Sequence, residues 1–174
     1  GAAQAARGAS MLGKVGRGTE VLFDALNPER MVVAAGAIGE GRHVLARGVA
    51  YANERKVFRG PIGAYQGLQH PMAEARAQLE AGSLLVQKAA WLQDAGADPK
   101  MVGEVASMGK LVGCDASFKA ADAAIQCFGG YGFCDSYDMV SHFLSARLAK
   151  VAPINREMTL NYIGEFILGL PKSY

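Results

Sequence analysis

Apolar residues recur at spacings of three and four over long stretches of this chain, and no stretch of any length alternates apolar with polar as a half-buried strand does. Ala34, Ile38, Gly41, Leu45 and Val49 form one such face. Just before it, Asn27 suits an N-cap, Pro28 the first helical position and Glu29 the first turn, where a negative charge meets the positive end of the helix dipole. A first long helix is therefore expected from Asn27 to about Arg55, where Arg59-Gly60-Pro61-Ile62-Gly63 breaks the pattern. Gly36, Gly39, Gly41 and Gly48 cost it helix propensity, so they are read as points where another backbone comes close. A second helix is expected from about Gln66 to Asp94, with Pro71 tolerated in its first turns. After a turn at residues 95–99, capped by Asp98, the third helix carries the cleanest stripe: Val105, Met108, Val112, Ala116, Ala120 and Ala123, ending on Cys127. Gly129 and Gly130 stop it. A shorter helix from about Met139 to Lys150 follows. Ala152-Pro153 separates it from a last helix carrying Met158, Tyr162, Ile163 and Phe166.

Long helices joined by short turns predict an all-α fold, an antiparallel up-and-down four-helix bundle over residues 19–174. Residues 1–18 are rich in Gly and Ala and end in three closely spaced glycines. They read as a linker or the tail of a preceding domain.

Composition changes this picture little. The chain has 174 residues, 51% hydrophobic and 20% charged, with 18 basic against 16 acidic side chains. That suits one globular domain. The charges are interspersed, so nucleic acid and anionic membrane are not expected partners. No run of apolar residues reaches a membrane span, and no signal peptide is visible, so a cytoplasmic location is expected, or the mitochondrial matrix in a eukaryote. His43, His70 and His142 show no metal-ligand spacing. Cys114, Cys127 and Cys134 are expected to be buried free thiols, since an odd, loosely spaced set makes neither a disulfide framework nor a zinc knuckle.

Three clusters carry candidate chemistry. The first is Asn53-Glu54-Arg55-Lys56-Val57-Phe58, with Gln66 beyond it; the second is Gln126-Cys127-Phe128-Gly129-Gly130-Tyr131-Gly132; the third is Asn27-Pro28-Glu29-Arg30. A glycine-rich turn lets a ligand approach backbone N–H groups, as phosphates require, and arginine supplies a matching fork of donors. By themselves these residues read first as a helix stop, a solvated helix end and a surface acid at a helix start.

Together and in this order, the clusters resemble the acyl-CoA dehydrogenase family over about residues 12–174. The family's C-terminal domain typically carries Arg-Lys-x-Phe-Gly, a Gln a few residues later, and Gln-x-x-Gly-Gly-x-Gly. Here these stand as Arg55-Lys56-Val57-Phe58, Gln66, and Gln126 to Gly132, with Arg59 where many members have Gly. The resemblance implies a helical bundle that follows an N-terminal helical domain and a middle β-domain. It implies FAD as cofactor, an acyl-CoA substrate of fatty-acid metabolism, an electron-transfer flavoprotein as electron acceptor, and a homodimer or homotetramer. Arg55 would pair with the FAD pyrophosphate of a neighbouring subunit, and Phe58 and Gln66 would meet its adenosine end. Gln126, Gly129 and Gly130 would line the cofactor. The reaction removes an α-proton while the β-hydrogen leaves as hydride. Most members place the catalytic Glu before the last helix, where Arg156 stands here with Glu157 next to it. A minority, resembling isovaleryl- and long-chain acyl-CoA dehydrogenases, place it at the start of the first bundle helix, where Glu29 stands. The resemblance thus implies Glu29 as the base, with Glu157 as the alternative, and Arg30 near the CoA end. Another flavoprotein oxidase or monooxygenase on this fold, or an inactive oligomerising bundle, are the competing readings.

Overall fold

The computed structural model describes residues 11–173. Three long helices, α1 (Gly18–Glu54), α2 (Gln66–Asp94) and α3 (Pro99–Phe128), are followed by the shorter α4 (Met139–Ala149) and α5 (Arg156–Tyr162). A π-helical turn at Ile163–Ile167 continues α5. α1 and α3 run in the same direction, since Gly41 faces Ser117 and Gly48 faces Ala124. α2 opposes α3, with Gly82 against Gly113, and α4 opposes α1 through Glu40 with His142 and Arg47 with Tyr137. The result is the expected up-down-up-down bundle.

α3 is the central helix. Its buried positions include Val105, Ala106, Gly109, Lys110, Gly113 and Cys114, which span far more than the single stripe read from sequence. Glycine makes that centrality possible. A Cβ at Gly48 would stand 2.9 Å from the Ala124 Cβ, and one at Gly82 would stand 2.9 Å from the Gly113 Cα. The axes are therefore closer than larger side chains permit. Of the four glycines expected to allow close approach on α1, Gly41 and Gly48 do so. Around Gly36 and Gly39 nothing lies within 4 Å of a built Cβ, because both face outward. Val49 also falls off the buried face, which turns instead through Val44, Leu45 and Ala52.

Two boundaries differ from expectation for a physical reason. α1 begins at Gly18, nine residues before Asn27, because Thr19 to Leu26 continue the helix. Pro28 therefore lies inside α1 and Asn27 is not its cap. Its amide instead donates to the Pro99 carbonyl (3.4 Å) and accepts from Arg30 (2.9 Å), a tertiary use that local sequence does not announce. After α1 a minimal hairpin forms, Lys56–Val57 paired antiparallel with Gly60–Pro61, where no strand was expected. The segment at residues 11–17 has no regular structure, as its glycines predict, and residues 1–10 of the expected linker lie outside the described residues.

Candidate functional site

The end of α1 and the end of α3 converge. Arg55 follows the last residue of α1, and its N–H donates to the Tyr51 carbonyl at 2.9 Å. Its own carbonyl accepts from Ile62 N–H at 2.8 Å, closing the hairpin. The backbone of Arg55 is thus pinned on both sides, while its exposed guanidinium has no hydrogen bond or ion pair among the described residues. Opposite, α3 stops at Gly129, whose φ of 56° a Cβ would oppose, and a 3-10 turn runs over Gly129–Phe133. Nothing lies within 4 Å of a Cβ built on Gly129 or Gly130, so the backbone there is open to approach.

Between these walls lies an open groove of about 530 Å³, with Arg55, Val57 and Ile62 on one side and Phe128, Gly130, Tyr131 and Cys134 on the other. Tyr51 stacks on Phe128 at 4.2 Å between ring centroids and makes an aromatic floor. An unpaired guanidinium beside bare glycine backbone suits phosphate oxygens, and the floor suits a planar ring. A larger groove of about 800 Å³ between α1 and α2 takes only Asn53 from the three clusters.

The groove unites Arg55 with Gly130. Gln126 and Gly129 are exposed just outside it, the Gln126 carbonyl accepting from the Gly129 N–H. Phe58 sits at the hairpin tip, fully exposed at φ 53°, and Gln66 is the exposed first residue of α2. The positive φ of this turn falls on Phe58, not on Arg59. Tyr51 was not singled out from sequence, and Tyr131 was named only as a member of the second cluster. Tyr51 could have been found, because it lies one helical turn before Arg55 on the same face. Cys114 and Cys127 are buried free thiols as expected, and burial pushes both up. Cys134 is the exception, exposed on the groove wall.

The carboxylate candidates lie elsewhere. Glu29 is on the exposed side of α1, well inside the helix, so the dipole argument for it lapses; it has no partner among the described residues. Its neighbour Arg30 turns inward and is 6% exposed, and burial pushes its guanidinium down from its ordinary value. Glu157 is exposed in the first turn of α5, which Asn155 caps by accepting from Met158 N–H at 2.8 Å. Arg156 is committed to Asp115, its Nε donating at 3.1 Å, and Lys150 binds the other Asp115 oxygen at 2.9 Å. Lys110, 2% exposed, donates to the Ile154 carbonyl at 2.6 Å. Four side chains, Lys110 and Asp115 of α3 with Lys150 and Arg156, therefore fix the segment between α4 and α5. No sequence pattern signalled them, because a lone lysine or aspartate on a helix normally faces solvent.

The family model for the acyl-CoA dehydrogenase C-terminal domain matches residues 16–168. The acyl-CoA dehydrogenase FadE12 of Mycobacterium tuberculosis is 48% identical over 153 residues, covering 88% of this chain and 39% of its own length. The short-chain-specific acyl-CoA dehydrogenase of Megasphaera elsdenii is 31% identical, covering 91% of this chain and 41% of itself. Among solved structures, butyryl-CoA dehydrogenase from Megasphaera elsdenii superposes with a TM-score of 0.84 at 30% identity, over 91% of this chain and 40% of that one. A glutaryl-coenzyme A dehydrogenase bound to glutaryl-CoA gives 0.82 at 29%, over 93% and 40%. The chain thus spans about two fifths of the length of the relatives it matches. No helix among the described residues is long and apolar enough to cross a membrane.

Proposed function

The chain belongs to the acyl-CoA dehydrogenase family, as its C-terminal domain, and on that premise we propose that it supplies one wall of an FAD site and the carboxylate base for α,β-dehydrogenation of an acyl-CoA. The observation that carries the reading is the groove that joins Arg55 to Gly130 over the Tyr51–Phe128 floor. Its donor set fits the pyrophosphate and adenosine end of FAD: a fork of N–H donors without a competing carboxylate, glycine backbone with space above it, and an aromatic surface. Phe58 and Gln66 stand at the hairpin and the start of α2, placed to reach the same ligand from outside the groove. The groove holds the far end of a cofactor seated on a neighbouring copy, so the working form is a homodimer or homotetramer. Bound FAD supplies the hydride acceptor, and an electron-transfer flavoprotein takes the electrons onward.

Glu29 is the proposed base. Its carboxylate carries no ion pair here, which leaves it available to take a proton from a substrate laid against it. Arg30, next to it in the chain, donates to Asn27 Oδ1 and would lie near the CoA end of the substrate. Arg156 stays protonated and holds Asp115, which leaves Glu157 as the alternative base on the α5 side.

The test uses the chain extended by the N-terminal portion that the family carries. Its visible spectrum should show bound flavin that bleaches with anaerobic acyl-CoA. Arg55→Ala should weaken FAD binding by about tenfold or more, the expected cost of a charge-assisted contact. Glu29→Gln should keep FAD and abolish bleaching. Bleaching retained in Glu29→Gln but lost in Glu157→Gln would reassign the base. Bound flavin that no acyl-CoA bleaches points to an oxidase or monooxygenase.

A further inference from the structure

The wall of the groove that carries Tyr131 and Cys134 is tied to α1 by a chain of polar side chains that the proposed reaction does not use. Arg47 lies two turns before Arg55 on α1. One of its guanidinium nitrogens donates to the Tyr137 carbonyl, and the other lies 3.0 Å from His142 Nε2. The opposite ring nitrogen of His142, Nδ1, meets the Glu40 carboxylate. His142 is 16% exposed and Glu40 29%, so water competes weakly for these contacts. A guanidinium has no acceptor and does not lose its proton. His142 Nε2 must therefore accept, and the ring proton sits on Nδ1, donated to Glu40. The charged and titratable groups facing the ring are Glu40, Arg47 and His43 from α1, the last with its ring centroid 5.3 Å away. Asp138, in the turn before α4, adds a carboxylate oxygen 4.0 Å from Nε2.

We propose that Arg47, backed by His142 and Glu40, is a positioning residue for the groove, holding the Tyr137 carbonyl and with it the wall, and that it does so fully only while His142 is neutral. This rests on the groove being the site of the cofactor's adenosine end. A proton taken from solvent onto Nε2 sets a second N–H against the Arg47 donor and directs the new N–H towards Asp138. Arg47 loses its acceptor and its hold on Tyr137 slackens. The Tyr137 ring lies 5.3 Å from Phe128, 5.6 Å from Tyr131 and 6.1 Å from Tyr51, so its movement passes directly to the floor.

The experiment compares wild-type with His142→Gln, whose amide oxygen accepts from Arg47 at every pH, in the extended protein between about pH 5.5 and 8, the range in which histidine changes charge. Two quantities are read. One is the rate at which iodoacetamide alkylates Cys134, followed by peptide mass spectrometry; the other is the FAD dissociation constant of the apoprotein. Because both proteins share the thiol, their rate ratio cancels its intrinsic titration. At the acid end wild-type should show FAD binding about fivefold weaker than His142→Gln, and Cys134 labelling faster by a similar factor, with convergence near pH 8. Arg47→Lys, which keeps the charge but not the fork, should behave at every pH as wild-type does at the acid end. Superimposable wild-type and His142→Gln curves for Cys134 would overturn the proposal. A Cys134 response without any change in FAD affinity would uphold the clamp and sink the assignment of the groove to FAD, which Arg55→Ala tests separately.

Discussion

At the scale of single residues, Asp115 shows how an unremarkable position becomes structural. It meets both ends of the segment that joins α4 to α5, through Lys150 and Arg156. Burial pushes its carboxyl up, but hydrogen bonds from Lys150 and Arg156, together with their charges, outweigh this and hold it below the usual carboxylate range. A carboxyl held low in the folded state contributes stability above its unfolded pKa, and that contribution is lost as pH falls through the folded value. Asp115→Asn should therefore cost about 1–2 kcal/mol at neutral pH, a figure reduced for the partial exposure of Arg156. The difference from wild-type should shrink as pH drops below about 4. Thermal melts of both proteins at neutral and acid pH check this, and a difference that ignores pH would mean that packing, not charge, is at stake. Nearby, burial pushes the Lys110 ammonium down. Its contact with the Ile154 carbonyl makes it an anchor, not a surface charge. The burial of Lys110 and of Arg30 was illegible in the sequence for one reason. Spacing reports which positions repeat on a face, and an isolated cation on the edge of an apolar stripe reads as solvated until a second helix covers it.

At the scale of elements, legibility follows how local the cause is. The stop of α3 at Gly129 and the cap of α3 by Asp98, whose Oδ1 accepts from Lys100 N–H at 3.0 Å, were both readable, because each is decided within a few residues. The start of α1 was not. Pro28 is as compatible with a helix start as with a tolerated interior position, and only the contact of Asn27 with the start of α3 tells the two apart. The same distinction divides the glycines. Gly82 faces the Gly113 backbone, whereas Gly36 faces open space. Gly82→Ala should lose about 1–3 kcal/mol through overpacking, only partly offset by the better helix propensity of alanine. Gly36→Ala should gain about 0.5–1 kcal/mol, because it stiffens the unfolded chain and meets nothing in the folded one. Urea unfolding of the two variants reads both signs in one series. If Gly82→Ala is neutral, the α2–α3 separation is more yielding than its backbone contacts imply.

At the scale of the whole molecule, the bundle leaves apolar surface that its own core does not use. Leu148 is 63% exposed beside a groove of about 330 Å³ between α1 and α4, lined by Val33, Gly36, Ala149 and Ala152, and Val32 on α1 is 70% exposed. Beyond the C-terminal end of α1, Phe58 is held wholly in solvent by a hairpin whose backbone strains to place it there. Surfaces of this kind mark contacts with other chain segments or other copies. The two patches carry different expectations. Under the proposed function the hairpin end would serve a neighbouring subunit, while the α1–α4 groove, along the helix that carries Glu29, would be covered by the N-terminal portion that the family carries. The 174-residue chain on its own should then self-associate through both, and sedimentation velocity should show its weight-average mass rising with concentration. Leu148→Glu should reduce that association in the chain alone. In the extended protein the same substitution should spare the oligomer and impair folding or substrate binding, whereas Phe58→Asp should weaken the dimer or tetramer and its FAD binding together. A sharp monomer at high concentration would show that neither patch is sticky. Leu148→Glu breaking the extended oligomer would move the subunit contact from the hairpin end to the α1–α4 groove, and the reading of Phe58 and Arg55 as residues that reach a neighbour's cofactor would have to be given up with it.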